Sequence, residues 1–344
     1  VQDAVTLAEQ SRALIEQPIA LGKDRARITA SIGIALYPED AQSAEELISH
    51  ADAALHKAQS EGRRLCRFYT PALNDQLIEQ FQLEQALRHG LDHDELLLHY
   101  QPRVDIRTGQ ILSLEALVRW NHPQLGLIGP ARFIPVAEST GLILDLGPVV
   151  LRQACRQLKR WQSAGVPVVP VAVNLSAKEL YQDALSQRIQ DIMSDACVDP
   201  AQLEFEITES ATMHSVEEAI EILSRLRGLG CAVSMDDFGT GHASLSYLNR
   251  LPMQTIKIDR SFLVKIAEVS EQESQGATIV KAIIGLGQNL GLHIIAEGVE
   301  TTSQRDFLIE HGCNVAQGYL FSMALPADQM AVLLKSGSVA QTLH

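Results

Sequence analysis

Basic residues are scarce in this chain: Lys and Arg number 28 of 344 residues against 42 Asp and Glu, for a net charge of −14 at pH 7. So few cations argue against a general surface for long nucleic acid, where affinity comes chiefly from neutralising phosphates. A small anionic ligand stays open, provided bound metal ions neutralise its site locally. Cysteine is also sparse. Cys66, Cys155, Cys197, Cys231 and Cys313 are scattered, odd in number and without a CxxC pair. That argues against a disulfide framework or a zinc cluster, and reads as reduced core thiols of a cytosolic protein. No apolar run approaches the roughly 18 to 20 residues of a membrane span. The chain opens Val1-Gln2-Asp3 with no Met, basic n-region or apolar h-region. A fragment or processed chain is therefore expected, with no visible signal peptide. Cytoplasmic placement is expected, and a longer parent protein could still be membrane-tethered.

What is present describes a soluble globular protein: 46% hydrophobic and 20% charged residues, with a mean hydropathy of +0.03. The length suggests about two domains. Residues 1–70 read as an amphipathic helix through Ile15, an alternating strand Ile28–Leu36, a turn at Tyr37-Pro38-Glu39-Asp40, a helix Ala44–Gln59 and a short strand Leu65–Tyr69. This is too little sheet for a self-sufficient α/β domain. Residues 71–90 are expected to be a linker opened by Pro71 and an amphipathic helix Asn74–His89, with Leu77, Phe81 and Leu87 on or near one face. Residues 91–336 form the main domain and 337–344 a tail.

In that main domain, short apolar runs alternate with helical patterns. The runs are Glu95–Tyr100, Ile111–Val118, Val168–Val173, Leu203–Ile207, Cys231–Met235, Thr255–Ile258, Leu292–Ala296 and Cys313–Tyr319. The helical patterns lie at Gly147–Ala164, Ala177–Ala196, Ser215–Leu229, Gly276–Leu290 and Thr302–His311. Eight strands separated by helices over this length predict an α/β fold, a (β/α)8 barrel. Only a Thr108-Gly109 turn separates the first two runs, which predicts an antiparallel first strand.

Barrel enzymes carry their chemistry at the carboxyl ends of the strands. Reading those ends in order gives Glu115, Asn174, Glu206, Asp236 with Asp237, Lys257 with Asp259, Glu297 with Glu300, and Gln317. Closing the barrel brings them to one rim as an all-oxygen site. Clustered carboxylates repel unless hard divalent cations such as Mg²⁺ or Mn²⁺ intervene, and no His or Cys cluster points to zinc. Adjacent Asp236 and Asp237 suggest a pair of ions, the arrangement used for in-line displacement at phosphorus. Lys257 could orient the attacking water or bind a phosphate oxygen, and Arg119 could clamp a phosphate.

Taken singly, each of these residues has an ordinary reading. A strand-end carboxylate commonly caps a helix or solvates a surface, and Asp236-Asp237-Phe238-Gly239-Thr240-Gly241 could be a capped loop. Trp120 and Phe133 could be packing residues or could stack on a base. His93-Asp94 lacks the partner His and Asp residues of a metal-dependent HD hydrolase. The functional reading rests on one residue class recurring at one place in the repeat.

Ordered along the chain, these segments resemble the EAL domain of cyclic di-GMP phosphodiesterases. They include Tyr100-Gln101-Pro102, Leu114-Glu115-Ala116-Leu117-Val118-Arg119-Trp120, Phe133-Ile134-Pro135-Val136-Ala137-Glu138 and Val173-Asn174-Leu175-Ser176. Glu206-Ile207-Thr208-Glu209, the Asp236–Gly241 stretch, Ile256-Lys257-Ile258-Asp259, Ala296-Glu297-Gly298-Val299-Glu300 and Gln317-Gly318-Tyr319-Leu320 complete the series. The resemblance implies hydrolysis of cyclic di-GMP to linear 5′-pGpG at two Mg²⁺ or Mn²⁺ ions. It implies metal ligation by Glu115, Asn174, Glu206, Asp236, Asp237 and Glu297. Glu115, Lys257, Glu297 and Glu209 would belong to the catalytic machinery, and Gln101, Arg119, Asp259, Gln317 and Glu300 would lie about the substrate. Glu209 and the Asp237–Leu245 stretch resemble the family's loop coupling metal binding to dimerisation, so a homodimer is expected. Ca²⁺, which prefers longer and looser coordination, is expected to inhibit.

Departures from the pattern are His242-Ala243 in that loop, Met323-Ala324 after the last strand, and Asn314. None removes an expected ligand. Residues 1–70 resemble the C-terminal half of a GGDEF diguanylate cyclase domain through Thr29–Ala35 and Ala51–Ala58. The signature is absent and Gln59 stands at a usual lysine, so cyclase activity is not expected. Two alternatives remain at this stage: a non-hydrolysing cyclic di-GMP receptor, and a dimerisation module on the same fold.

Overall fold

A computed structural model describes residues 2–21, 24–26, 28–60, 64–240, 245–267 and 275–339, which fall into two units, Val1–Ala86 and Leu87–His344. In the first, helix Gln2–Ile15 is followed by a small hairpin, Ile19–Leu21 with Asp24–Ala26, which the sequence pattern did not suggest. The alternating run at 28–36 yields only the strand Ile32–Ile34, paired parallel with Cys66–Phe68. Helix Ala44–Ser60 packs on this pair so closely that a Cβ at Gly33 would sit 2.0 Å from the Ala51 carbonyl oxygen. Its buried Ala53 and Ala54 meet Tyr69 and Leu73 in a small core.

The helix expected from Asn74 already starts at Pro71. The proline begins this helix, Pro71–Asp92, at a position where its missing N–H costs nothing. Phe81, expected on the apolar face, is 63% exposed, whereas Leu73, Leu83 and Leu87 are buried. The side chain of Leu77 lies outside the described residues.

In the second unit the eight expected strands form a closed barrel: β1 Leu96–Asp105, β2 Ile111–His122, β3 Val171–Asn174, β4 Leu203–Thr208, β5 Ala232–Phe238, β6 Thr255–Ile258, β7 His293–Ala296 and β8 Val315–Ala316. Strands β2 to β8 pair parallel in sequence order. β1 is antiparallel to both β2 and β8 and closes the ring. The reason is local. Asp105 Oδ1 accepts from the backbone of Arg107 and Thr108, and Gly109 adopts φ +72°, so the chain reverses at once and no crossover helix intervenes.

Along β2 to β6 one face is apolar and meets the surrounding helices: Leu114 and Ala116, Val171 and Val173, Leu203, Phe205 and Ile207, Val233 and Met235, Ile256 and Ile258 are all buried. Helix Ile143–Ser163 exemplifies the outer layer, burying Leu146, Val150, Ala154, Leu158 and Trp161 along one stripe. Trp161 meets Tyr100 of β1 edge-on at 4.8 Å. The Ala177–Ala196 pattern is split into Ala177–Leu180 and Leu185–Asp195, with Ala184 at φ +59° between them. Of the cysteines, Cys155, Cys231 and Cys313 are core thiols, and Cys66 is half-buried. Cys197 is exposed, just past the end of a helix at φ +52°, so the core reading fails there. No described helix is long and apolar enough to cross a membrane.

Candidate active site

The opposite face of the same strands is polar, and it fills the barrel. Alternation sends Glu204 and Glu206 inward between Leu203, Phe205 and Ile207. It sends Ser234 and Asp236 inward on β5, and Lys257 inward on β6. Contacts then run both to the flanking strands and across the barrel to strands that are not neighbours. Lys257 Nζ lies 2.6 Å from Glu206 Oε2, 3.1 Å from Asp236 Oδ1, 2.5 Å from Glu297 Oε1 and 3.8 Å from Glu115 Oε2. One ammonium thus touches carboxylates from β2, β4, β5 and the end of β7.

Amides organise the side facing β1. Asn174 Nδ2 donates to Glu115 Oε1 at 2.9 Å, and Gln317 Nε2 donates to Glu115 Oε2 at 2.7 Å and to Gln101 Oε1 at 2.9 Å. Gln101 in turn donates to the Ser322 carbonyl. Gln317 reaches this position because the turn after β8 lies directly on the loop after β7. A Cβ at Gly318 would sit 2.2 Å from the Val299 carbonyl oxygen.

Asp236 and Asp237 pose a geometric problem, since consecutive strand residues point to opposite faces. The structure solves it with a register shift in the β5–β6 pairing between Met235 and Phe238. Asp237 takes a left-handed φ of +52°. Such bulges re-aim side chains near functional sites. As a result, carboxylate oxygens of Asp236, Asp237 and Glu297 all lie within 4.8 Å of one another. Just past Asp237, Glu209 Oε2 accepts from Gly239 N at 2.9 Å. Gly241, His242, Ala243 and Ser244 lie outside the described residues.

The electrostatics follow from crowding in a buried place. Burial pushes the Asp237 carboxyl up to about 6, aided by Asp236 and Asp259. Burial likewise lifts Glu297 to about 7; Lys257 opposes this, and Asp236 and Glu115 reinforce it. For Glu115 burial acts upward too, but Lys257, Arg103 and the two amides hold it below the usual carboxylate range. Burial alone would depress Lys257. Its carboxylate neighbours more than offset this, so its ammonium stays charged.

Fit to a divalent cation can be judged from the donors. Glu115, Glu206, Asp236, Asp237 and Glu297 offer hard oxygens, and they outnumber the cations Arg103 and Lys257 among them. Such an excess suits Mg²⁺ or Mn²⁺ rather than a soft metal. A groove of about 380 Å³ opens beside Asn174, walled by Leu117, Pro135 and Leu146, with Glu138 and Glu179 among its lining residues.

Other expected residues stand further out. Half-buried Arg119 donates to the Val118 carbonyl. Asp259 neighbours Asp237, and exposed Glu300 pairs with Arg260 at 2.7 Å. Trp120 and Phe133 are fully buried, edge to face at 5.8 Å, and Trp120 Nε1 donates to Glu95. They are packing residues and offer no face to a base. Sequence reasoning missed Arg103 and Glu204, which sit within the barrel among these groups. Two glutamates alternating with apolar residues in Leu203-Glu204-Phe205-Glu206-Ile207 were the available signal.

Comparison with known proteins agrees with this geometry. Residues 84–324 match the EAL domain family, and residues 1–65 match the diguanylate cyclase GGDEF domain family. A curated relative from Pseudomonas aeruginosa, bifunctional diguanylate cyclase/cyclic di-GMP phosphodiesterase MucR, is 44% identical over 95% of this chain and 47% of its own length. Cyclic di-GMP phosphodiesterase NbdA from the same organism is 41% identical over 97% of this chain and 42% of its own length. The chain thus spans less than half of each. A solved structure described as PaMucR phosphodiesterase in complex with c-di-GMP superposes with a TM-score of 0.69 at 44% identity, covering 72% of this chain and 99% of that one.

Proposed function

The chain belongs to the EAL domain family, and from that premise we propose that it hydrolyses cyclic di-GMP to linear 5′-pGpG with two divalent cations. The observation that carries the reading is the convergence of Glu115, Glu206, Asp236, Asp237 and Glu297 on one end of the barrel around Lys257.

In this reading Glu115, Asn174, Glu206 and Asp236, with Asp237 and Glu297, hold the ions. Bound Mg²⁺ or Mn²⁺ supplies Lewis acidity at a phosphate oxygen and lowers the pKa of an attacking water. Lys257 acts as a charged donor that orients water or phosphate, because an ammonium held above its ordinary pKa is no general base. Arg119 offers a guanidinium for a substrate phosphate. The groove beside Asn174 is apolar enough to seat a purine face, and the exposed carboxylate of Glu138 in its lining can accept from a guanine edge. Glu209, bonded to the backbone of Gly239 just past Asp237, links the metal side of the site to the loop expected at a homodimer contact. A cytoplasmic location suits both the substrate and the free thiols.

The test is chromatography of cyclic di-GMP incubated with the chain and Mg²⁺ or Mn²⁺, with Glu115→Ala alongside. Linear pGpG from the wild type alone supports the reading. Intact nucleotide with calorimetric binding would make the chain a receptor instead.

A further inference from the structure

Beneath the site lies an arginine that no motif singles out. Arg103 follows Gln101 by two residues on β1, so its side chain enters the barrel on the same face. It is fully buried, and with Lys257 it is one of two buried cations among the described residues. Its guanidinium serves three acceptors at once, two on β4 and one just past β8. Nε donates to Gln317 Oε1 at 3.2 Å, Nη1 donates to Glu204 Oε1 at 3.2 Å, and Nη2 pairs with Glu206 Oε1.

The consequence for Gln317 is directional. Its amide has a single oxygen, and that oxygen faces the guanidinium. Turned over, the amide would set its NH₂ against N–H donors of Arg103, with no acceptor between them. The NH₂ is therefore committed to the other side, where it donates to Gln101 at 2.9 Å and to Glu115 at 2.7 Å. Glu206 is fixed more directly, with Oε1 on Arg103 and Oε2 on Lys257 at 2.6 Å.

We propose that Arg103 is a positioning residue for the metal site, orienting Glu115 through the Gln317 amide and Glu206 by direct contact, with Glu204 anchoring its remaining arm. The inference rests on the preceding reading in taking Glu115 and Glu206 as metal ligands. A simple counter-charge could be supplied by any cation. Only a planar fork with several fixed donors can serve three acceptors on two separate strands and set the sense of an amide. Outer partners of this kind commonly govern metal affinity as well as ligand orientation.

Arg103→Lys separates these roles, since it keeps the charge and loses the fork. Mn²⁺ binding to the full chain is measured by calorimetry without substrate, alongside kcat and KM for cyclic di-GMP. The variant is expected to melt within a few degrees of wild type, to bind Mn²⁺ about 10- to 100-fold more weakly, and to lose kcat more than it raises KM. Mn²⁺ affinity within about twofold of wild type would reduce Arg103 to a counter-charge and overturn the assignment. Should the Lys variant fail to fold, Gln317→Met leaves the charge balance untouched and carries the same readout: weakened Mn²⁺ binding supports the relay, and wild-type affinity overturns it. A wild type that binds no Mn²⁺ overturns the metal-site reading together with the role of Arg103. Wild-type binding with unaltered variants overturns the Arg103 assignment alone.

Discussion

Lys257 and Glu206 form an ion pair of 2.6 Å in which both side chains are fully buried. An arrangement so deep is stable only while the charges balance, because removing one partner strands the other in a medium that solvates it poorly. Lys257→Met is therefore expected to cost roughly 3 kcal/mol or more of stability in EDTA. Mn²⁺ should recover part of that loss by supplying the missing positive charge. Scanning calorimetry with and without Mn²⁺ checks this, and the melting temperatures should diverge more than in the wild type. Turnover should fall by about 10²–10³-fold, as when a fixed donor at a reacting centre is lost.

The bulge at Asp236-Asp237 makes its own prediction. Asp237 has φ +52°, a region that Asn tolerates and a β-branched residue does not. Asp237→Asn should unfold in urea close to wild type, whereas Asp237→Val should lose roughly 1–3 kcal/mol. Both should bind Mn²⁺ more weakly by calorimetry, since each lacks a carboxylate.

Metal affinity should depend on pH with a definite sign. Glu297 is raised to about 7 and Asp237 to about 6, and an ion binds their deprotonated forms. Above pH 7 neither proton needs displacing. As pH falls through 7 and then 6, affinity should drop by up to about tenfold per unit for each proton released. Calorimetry in buffers of different ionisation enthalpy counts those protons directly.

Gly318→Ala should destabilise the chain by roughly 3 kcal/mol, because the added Cβ meets backbone that cannot rotate away. Denaturant titration measures the loss. Turnover by the folded fraction should also fall, since Gln317 would be displaced from Glu115.

Ca²⁺ should compete with Mn²⁺ yet support no hydrolysis, because its longer bonds and variable coordination orient an attacking water poorly. Product formation with Ca²⁺ alone would contradict the proposed mechanism.

Much of this was legible in the chain. Apolar runs at Thr255–Ile258 and Leu203–Ile207 fall almost residue for residue on β6 and β4, since a strand covered by helices must be apolar on its outer face. The Thr108-Gly109 turn announced the antiparallel β1, because two residues cannot make a parallel crossover. Boundaries failed where local pattern carries little information. The run Cys313–Tyr319 keeps only two residues of strand, and the helix Asn74–His89 begins three residues earlier. Phe81 was misplaced because helical spacing identifies a face without saying whether anything packs against it.

The sequence by itself determined the class of fold, the order of the strands and the acidic character of their ends, because these follow from periodicity and residue type. Tertiary structure alone decided which groups share the interior. Arg103 and Glu204 lie 101 positions apart in the chain, and only closure of the barrel sets one against the other. The bulge that turns Asp237 beside Asp236, and the amide of Gln317 held between Arg103 and Glu115, are likewise products of register and packing. Contacts between strands that are not neighbours leave no periodic trace in a single chain.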